Sequence, residues 1–280
     1  MEIEIMAVLA TLGPEGSFSQ EAAEKFIQRS GGNHEILLLD DPGEILGLEG
    51  GADLGLVAIE NSLEGSIGHT LDLMRDMESQ ICDEVVLRIR HFLMGRKNGE
   101  VEKILSHPAA FSQCRMFLRE RYPGCELVAT SSTAQGAMQA SKEGGTAAIA
   151  SERSALIYGL EIISPDIQDR ESYTRFVVVG REQGDTSGND KTSLIFLVKD
   201  VPGALHRALA PFADRGINLT KIESRPSRRA LGEYVFFVDL LGHASSGKVR
   251  EALRELSEVC TSLRVLGSYP AATFPEPRSI

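Results

Sequence analysis

The chain of 280 residues carries 29 Lys and Arg against 40 Asp and Glu, a net charge of -11, with 42% hydrophobic and 25% charged residues and no tryptophan. This is an ordinary globular composition that excludes a disordered or fibrous chain, and the length suits two domains. The acidic balance excludes a nucleic-acid binder, because polyanion binding draws on Lys and Arg to release counterions.

The first residues, MEIEI, open with two glutamates and then an apolar run at 7–12, so a strand and a loop are expected and no secretory signal is visible. Gly13-Pro14-Glu15-Gly16 follows, and then a helical pattern over 20–29 with Ala22, Ala23, Phe26 and Ile27 on one face. Short apolar runs at 36–39 and 54–59 read as strands, the second leading into Glu60-Asn61-Ser62. Further strands are expected at 85–93, 104–105, 126–129, 147–150 and 176–179, separated by helical patterns such as 110–121 and 134–142. Strands alternating with helices imply an α/β domain with a largely parallel sheet.

Residues 184–190 are polar and Gly-rich and read as a linker between domains at 1–183 and 191–280. The charge changes across it: residues 1–190 carry 16 basic and 31 acidic side chains, and residues 191–280 carry 13 and 9. Beyond it come a strand at 192–198, a helix with Leu205, Leu209 and Phe212, strands at 217–224 and 232–241, a helix at 246–260 and a strand at 263–266. The order βαββαβ is ferredoxin-like. Pro211 is expected to kink the first of these helices. Such a unit exposes a sheet edge and a helix-free face, so pairing with a second copy is expected. The tail from Pro270 is expected to be ordered only by docking.

Cys82, Cys114, Cys125 and Cys260 lie far apart and read as free thiols of a reducing compartment. No stretch reaches the roughly 18 apolar residues of a membrane span. A cytoplasmic location with no membrane partner is expected. The histidines lack metal-ligand spacing, so neither a metal nor a cofactor is expected. GPEG is not a nucleotide loop, since neither GxGxxG nor GxxxxGK[ST] occurs.

Seven stretches, in order, resemble the prephenate dehydratase family in its form with a C-terminal ACT regulatory domain. They are GPEGSFS (13–19), IENSLEGSIGHTLDLM (59–74), SHPAAFSQC (106–114), SSTAQGA (131–137), TRF (174–176), GALHRAL (203–209) and INLTKIESRP (217–226). The resemblance implies a two-lobed catalytic domain like the periplasmic binding proteins, the decarboxylating dehydration of prephenate to phenylpyruvate, and feedback by L-phenylalanine. The same chemistry on arogenate, or a non-catalytic amino-acid sensor, are the alternatives. Departures from the family pattern are Ser17 for Thr, Ala58 for Pro, Ala109 for Gln and Ser172 for Asn.

Under the resemblance, Thr174, Arg175 and Glu60 are the catalytic candidates. Thr174 hydrogen-bonds the departing hydroxyl, and Arg175 offers a planar cation suited to a carboxylate. Glu60 is an acid or an orienting group. Asn61, Ser62, Gly65, Ser17, His107, Gln113, Ser132, Thr133 and Phe176 are the candidates for substrate binding. His107 is a further candidate acid. Ser62 and one of Ser131, Ser132 and Thr133 also suit helix caps. The same resemblance places phenylalanine between paired ACT domains, against Gly203, Ala204, Leu205, Asn218, Leu219, Glu223 and Ser224, which implies a dimer or tetramer. The run Arg225, Arg228, Arg229 is expected to be solvated or docked on the acidic half.

Overall fold

The computed structural model describes residues 6–96, 100–182, 184, 186–228 and 233–272. Arg229, Gly232 at the head of an expected strand, positions 183 and 185 at the expected linker, and 273–280 of the tail lie outside the described residues.

The first apolar run forms β1 (Ala7–Leu12) and passes into α1 (Phe18–Ser30) through Ser17, whose Oγ accepts a hydrogen bond from Gln20 N. A cap of this kind satisfies one orphan N–H of the first turn and contributes about 1 kcal/mol. There follow β2 (His34–Leu39), α2 (Pro42–Leu46), β3 (Leu54–Asn61), the two-residue β4 (Gly65–Ser66), α3 (Gly68–Met74) and β5 (Gln80–Ile89). The single strand expected at 85–93 is two strands. β5 ends at Ile89, Arg90 and His91 cross over, and β6 (Phe92–Gly95) joins a second sheet. Both strands are buried, so the apolar run does not mark where the pairing partner changes.

The second lobe holds β7 (Lys103–Ser106), α4 (Pro108–Gln113), α5 (Arg115–Arg121), β8 (Glu126–Ala129), α6 (Thr133–Ala140), β9 (Thr146–Ala150), α7 (Glu152–Tyr158) and β10 (Glu161–Ser164). The helix expected over 110–121 breaks at Cys114, where φ is -115°. The sheet runs β10-β6-β9-β7-β8. β11 (Ser172–Gly180) then returns to the first sheet between β3 and β5, giving the order β2-β1-β3-β11-β5. β11 is antiparallel to both neighbours, so the sheet is mixed rather than largely parallel. The reason is that β11 enters from the other lobe and not through a βαβ crossover.

The C-terminal half is β12 (Asp190–Leu197), α8 (Ala204–Ala213), β13 (Leu219–Pro226), β14 (Tyr234–Leu241), α9 (Gly247–Val259) and β15 (Ser262–Pro270). This is the βαββαβ order, in an antiparallel sheet β13-β14-β12-β15. Pro211 sits inside α8 near its end, so only Phe212 and Ala213 follow it in the helix. The two helices cover one face, with Phe212, Val249 and Leu256 against Leu194, Phe196, Val238 and Leu240. Ile195, Val235, Phe237, Leu266 and Tyr269 on the other face share one core with Met77, Ile81, Val177 and Val179. The helix-free face expected to meet a second copy is therefore covered by the N-terminal half. Among the described residues, no helix is long and apolar enough to cross a membrane.

Candidate functional site

Successive side chains of a strand point to opposite faces of its sheet. On β11, Phe176 and Val178 pack with α1, while Val177 and Val179 pack in the core shared with the C-terminal half. By the same alternation Thr174 faces the α1 side and Arg175 the opposite side. β3 adds a bulge, because Arg175 is paired with Glu60 and Phe176 with Ala58, which leaves Ile59 as the extra residue. A bulge shifts the alternation by one. It places Asn61 beside Thr174 and carries Glu60 to the far face with Arg175.

On the α1 side a cavity of about 230 Å³ opens between the two lobes. The first sheet contributes Thr174, Phe176, Asn61 and Ala58, and the start of α1 contributes Ser17 and Phe18. The second lobe contributes His107, Ala109 and Gln113 of α4 with its cap, and Ser131, Ser132 and Thr133 at the start of α6. His91 on the crossing segment completes it. Among the described lining residues there is no Lys or Arg. Positive potential comes instead from the N-termini of α1 and α6, whose free N–H groups suit an anion.

Asn61 sets the polarity of the site. Its Oδ1 accepts from the N–H groups of Leu63 (2.9 Å) and Glu64 (3.1 Å), which fixes the amide so that Nδ2 points at β11. Nδ2 donates to Thr174 Oγ1 and to Ser172 Oγ, each at 3.0 Å. Thr174 thus receives a hydrogen bond on its oxygen and keeps its own proton to donate into the cavity. His107 Nδ1 accepts from Ala109 N at 3.2 Å, so the neutral ring carries its proton on Nε2. His91 Nε2 meets Gln113 Oε1 at 3.0 Å, and burial pushes its pKa down despite that bond. The Ser17 and Ser132 hydroxyls serve as helix caps, and Ser17 also donates to Leu12 O.

The remaining expected catalytic groups lie elsewhere. Arg175 and Glu60, with Ser62, line a separate cavity of about 410 Å³ toward the C-terminal half. Arg175 is 5% exposed and bound to Glu84 Oε2 (2.6 Å), Asp239 Oδ2 (2.5 Å) and Tyr269 Oη (2.9 Å). Desolvation lowers its pKa, but Asp239, Tyr269 and Glu84 outweigh that and hold it above the ordinary value. Lys191 Nζ reaches both Glu84 oxygens, at 2.7 and 2.9 Å. Glu60 pairs with Lys221 at 3.2 Å and with Arg175 at 3.5 Å. Ser62 pins β11, since its Oγ accepts from Tyr173 N and its N–H donates to Tyr173 O. Gly65 pairs with Asn61 in β4 at a φ of 81°, which favours glycine.

Sequence reasoning missed His91 and the cluster of Glu84, Lys191, Asp239 and Tyr269. The available signals were carboxylates inside apolar strands: Glu84 in QICDEVVLRI and Asp239 in YVFFVDLL.

The prephenate dehydratase family model matches residues 9–184, and the ACT domain model matches residues 192–258. The chain belongs to the prephenate dehydratase family. It is 40% identical over 270 residues to the bifunctional chorismate mutase/prephenate dehydratase of Stutzerimonas stutzeri, covering 95% of this chain and 74% of that one. It is 36% identical to the prephenate dehydratase of Methanocaldococcus jannaschii, covering 94% of this chain and 98% of that one. The solved structure of the Arthrobacter aurescens prephenate dehydratase, in complex with L-Phe, is 33% identical with a TM-score of 0.86, covering 95% and 90%. The structure of GqqA, described as a novel type of quorum quenching acylase, is 28% identical with a TM-score of 0.82, covering 95% and 98%. A dehydratase family chain with an ACT domain accounts for both sheets of the N-terminal half and for the ferredoxin-like unit.

The residues expected around phenylalanine are divided. Gly203 caps α8 with Ala204 and Leu205 behind it, while Asn218 directly precedes β13 and Leu219 begins it, after that helix has ended. In the sheet, Leu197 is level with Val235 and Arg225, and Thr192 with Leu240 and Leu219. Five strand residues, roughly 17 Å, separate the Leu197 level from the Thr192 level. Glu223 and Ser224 lie between them, and Glu223 accepts from Ser66 Oγ at 3.3 Å.

Proposed function

We propose that the protein is a prephenate dehydratase of the cytoplasm, inhibited by L-phenylalanine at its ACT domain. Residues 1–183 supply the two catalytic lobes and residues 191–280 the regulatory unit. The observation that carries the reading is the Asn61–Thr174 pair, a hydroxyl with its proton free to donate at the floor of a cleft between lobes.

Prephenate is a dianion. The bond to its ring carboxylate breaks, carbon dioxide leaves, and the released electron pair enters the ring as the C4–O bond breaks. Hydroxide departs as water after taking up one proton, leaving the phenylpyruvate monoanion. The drive is aromatisation, so the protein's task is to orient the dianion and to stabilise the oxygen on which charge develops. Thr174 donates a hydrogen bond to that oxygen, and the net proton comes from solvent. A threonine hydroxyl is too weak an acid to give up its proton freely at neutral pH, so its role is that of an oriented donor. The carboxylates are held by N–H groups at the starts of α1 and α6 and by the hydroxyl of Thr133. His107 Nε2–H is a further donor facing the cleft.

An acyl-transfer route would need a hydroxyl or thiol activated by a base. The two histidines of the cleft are engaged instead by Gln113 and by the Ala109 N–H. Because the two groups of phenylalanine residues stand apart in one chain, the effector site requires two ACT units, and we propose an even-numbered homo-oligomer. Incubation of the purified chain with prephenate, with phenylpyruvate read in alkali, tests the reading. Turnover above the spontaneous rate is expected, and none would overturn it. Turnover of arogenate but not prephenate would redirect the assignment to that substrate.

A further inference from the structure

Asp239 and Tyr269 belong to β14 and β15 of the regulatory unit, yet they hold the residue that directly follows Thr174. Arg175 donates from Nη1 to Asp239 Oδ2 and from Nη2 to Tyr269 Oη. Ser193 Oγ lies 2.5 Å from both Asp239 Oδ1 and Tyr269 Oη. A carboxylate only accepts, so the Ser193 proton goes to Asp239 and the Tyr269 hydroxyl donates to Ser193. The result is a closed ring, Arg175 to Tyr269 to Ser193 to Asp239 and back to Arg175. All four residues are at least 95% buried. From the catalytic side Glu84 holds Arg175 Nε. Counting Glu60, Lys191 and Lys221, three cations face three carboxylates, so the cluster is neutral.

The β3–β11 ladder is interrupted between Arg175 and Phe176, so the main chain at Thr174 is flanked by irregular pairing on that side. A guanidinium fixed at three corners on one face therefore fixes the pleat, and with it the direction of the Thr174 hydroxyl on the other face. We propose that Asp239 and Tyr269 are positioning residues for Thr174, acting through Arg175, so that the regulatory unit sets the geometry of the catalytic strand. The inference rests on the dehydratase reading above. It gives effector binding a physical route: any displacement of β14 or β15 against the first sheet is taken up at Arg175. Neither residue lines the cleft, so substrate binding itself is left intact.

The test compares full-length parent, Tyr269→Phe and Asp239→Asn for kcat and KM with prephenate, with thermal unfolding as the check on folding. Tyr269→Phe removes one hydroxyl and keeps the ring in its packed site. The expected result is a kcat lower by about ten-fold with KM within about two-fold, as for a slightly misplaced group. In an Arg175→Lys background, where Nη2 is gone, Tyr269→Phe should add little. Unchanged kcat in folded Tyr269→Phe and Asp239→Asn with an active parent overturns this inference alone. A loss of activity that only follows the loss of folded protein overturns it as well. An inactive parent overturns both it and the dehydratase reading.

Discussion

The Thr174 hydroxyl has one proton and two lone pairs, and what it can do depends on which of these its neighbours use. The amide of Asn61 takes a lone pair and leaves the proton. Asn61→Asp would reverse this, because a carboxylate accepts and would draw the Thr174 proton to itself. The expected outcome is a fall in kcat of about 10²-fold with little change in KM, at the lower end of what a positioned proton donor contributes. Steady-state kinetics on prephenate would check it, and parental kcat would contradict it. Of the TRF tripeptide, Thr174 and Phe176 line the cleft and Arg175 lines the other cavity. Strand alternation alone puts adjacent residues on opposite faces, so Thr174 and Arg175 could not both meet the substrate from one flat strand. Glu60 was harder to place from sequence, since only the bulge at Ile59 decides whether it or Asn61 faces the cleft.

At the scale of elements, the site is made where strands change sheets. β5 and β6 read as one apolar run, and the break between them sets His91 against Phe18 and Gln113 at the rim of the cleft. A desolvated imidazole favours its neutral form, so the folded-state pKa lies below the ordinary 6.5. The folded protein then binds this proton less readily than the unfolded chain. His91 contributes little pH dependence well above 6.5, and stability falls as the pH drops through that value toward the lowered pKa. Thermal unfolding followed from pH 7.5 to 5 should show this loss, and His91→Gln should flatten it. Equal slopes for the two proteins would remove His91 from this role. The strands, helices and βαββαβ order were mostly legible from periodicity. The crossing at residues 90–91, the break at Cys114 and β10 were not, because each depends on partners distant in sequence.

On the whole-molecule scale the charge split takes on a different meaning. The proposed cleft in the acidic half has no Lys or Arg among its described lining residues, while Arg175, one residue beyond Thr174, is committed to Asp239 and Tyr269 of the regulatory half. That interface is a continuous core. Gly267 of β15 lies so close to Ile81 of β5 that a Cβ would overlap the Ile81 carbonyl oxygen. Arg225 and Arg228 add ion pairs to Asp72 of α3 at 2.9 and 2.5 Å, so this part of the basic run docks on the acidic half as expected. Two halves joined in this way should unfold together, giving one calorimetric transition for the parent. Gly267→Val should push them apart and either lower the midpoint by several degrees or split the transition. Two transitions in the parent would contradict the shared core.

In the proposed reaction the Thr174 hydroxyl, oriented by Asn61, carries the dehydration in the cleft between the lobes. The most direct measurement is the turnover of prephenate by Thr174→Ala beside the parent, at matched folded concentration. Phenylpyruvate formation is expected to fall by roughly 10²- to 10⁴-fold, with the melting temperature little changed. A variant that turns prephenate over at the parental rate would contradict it.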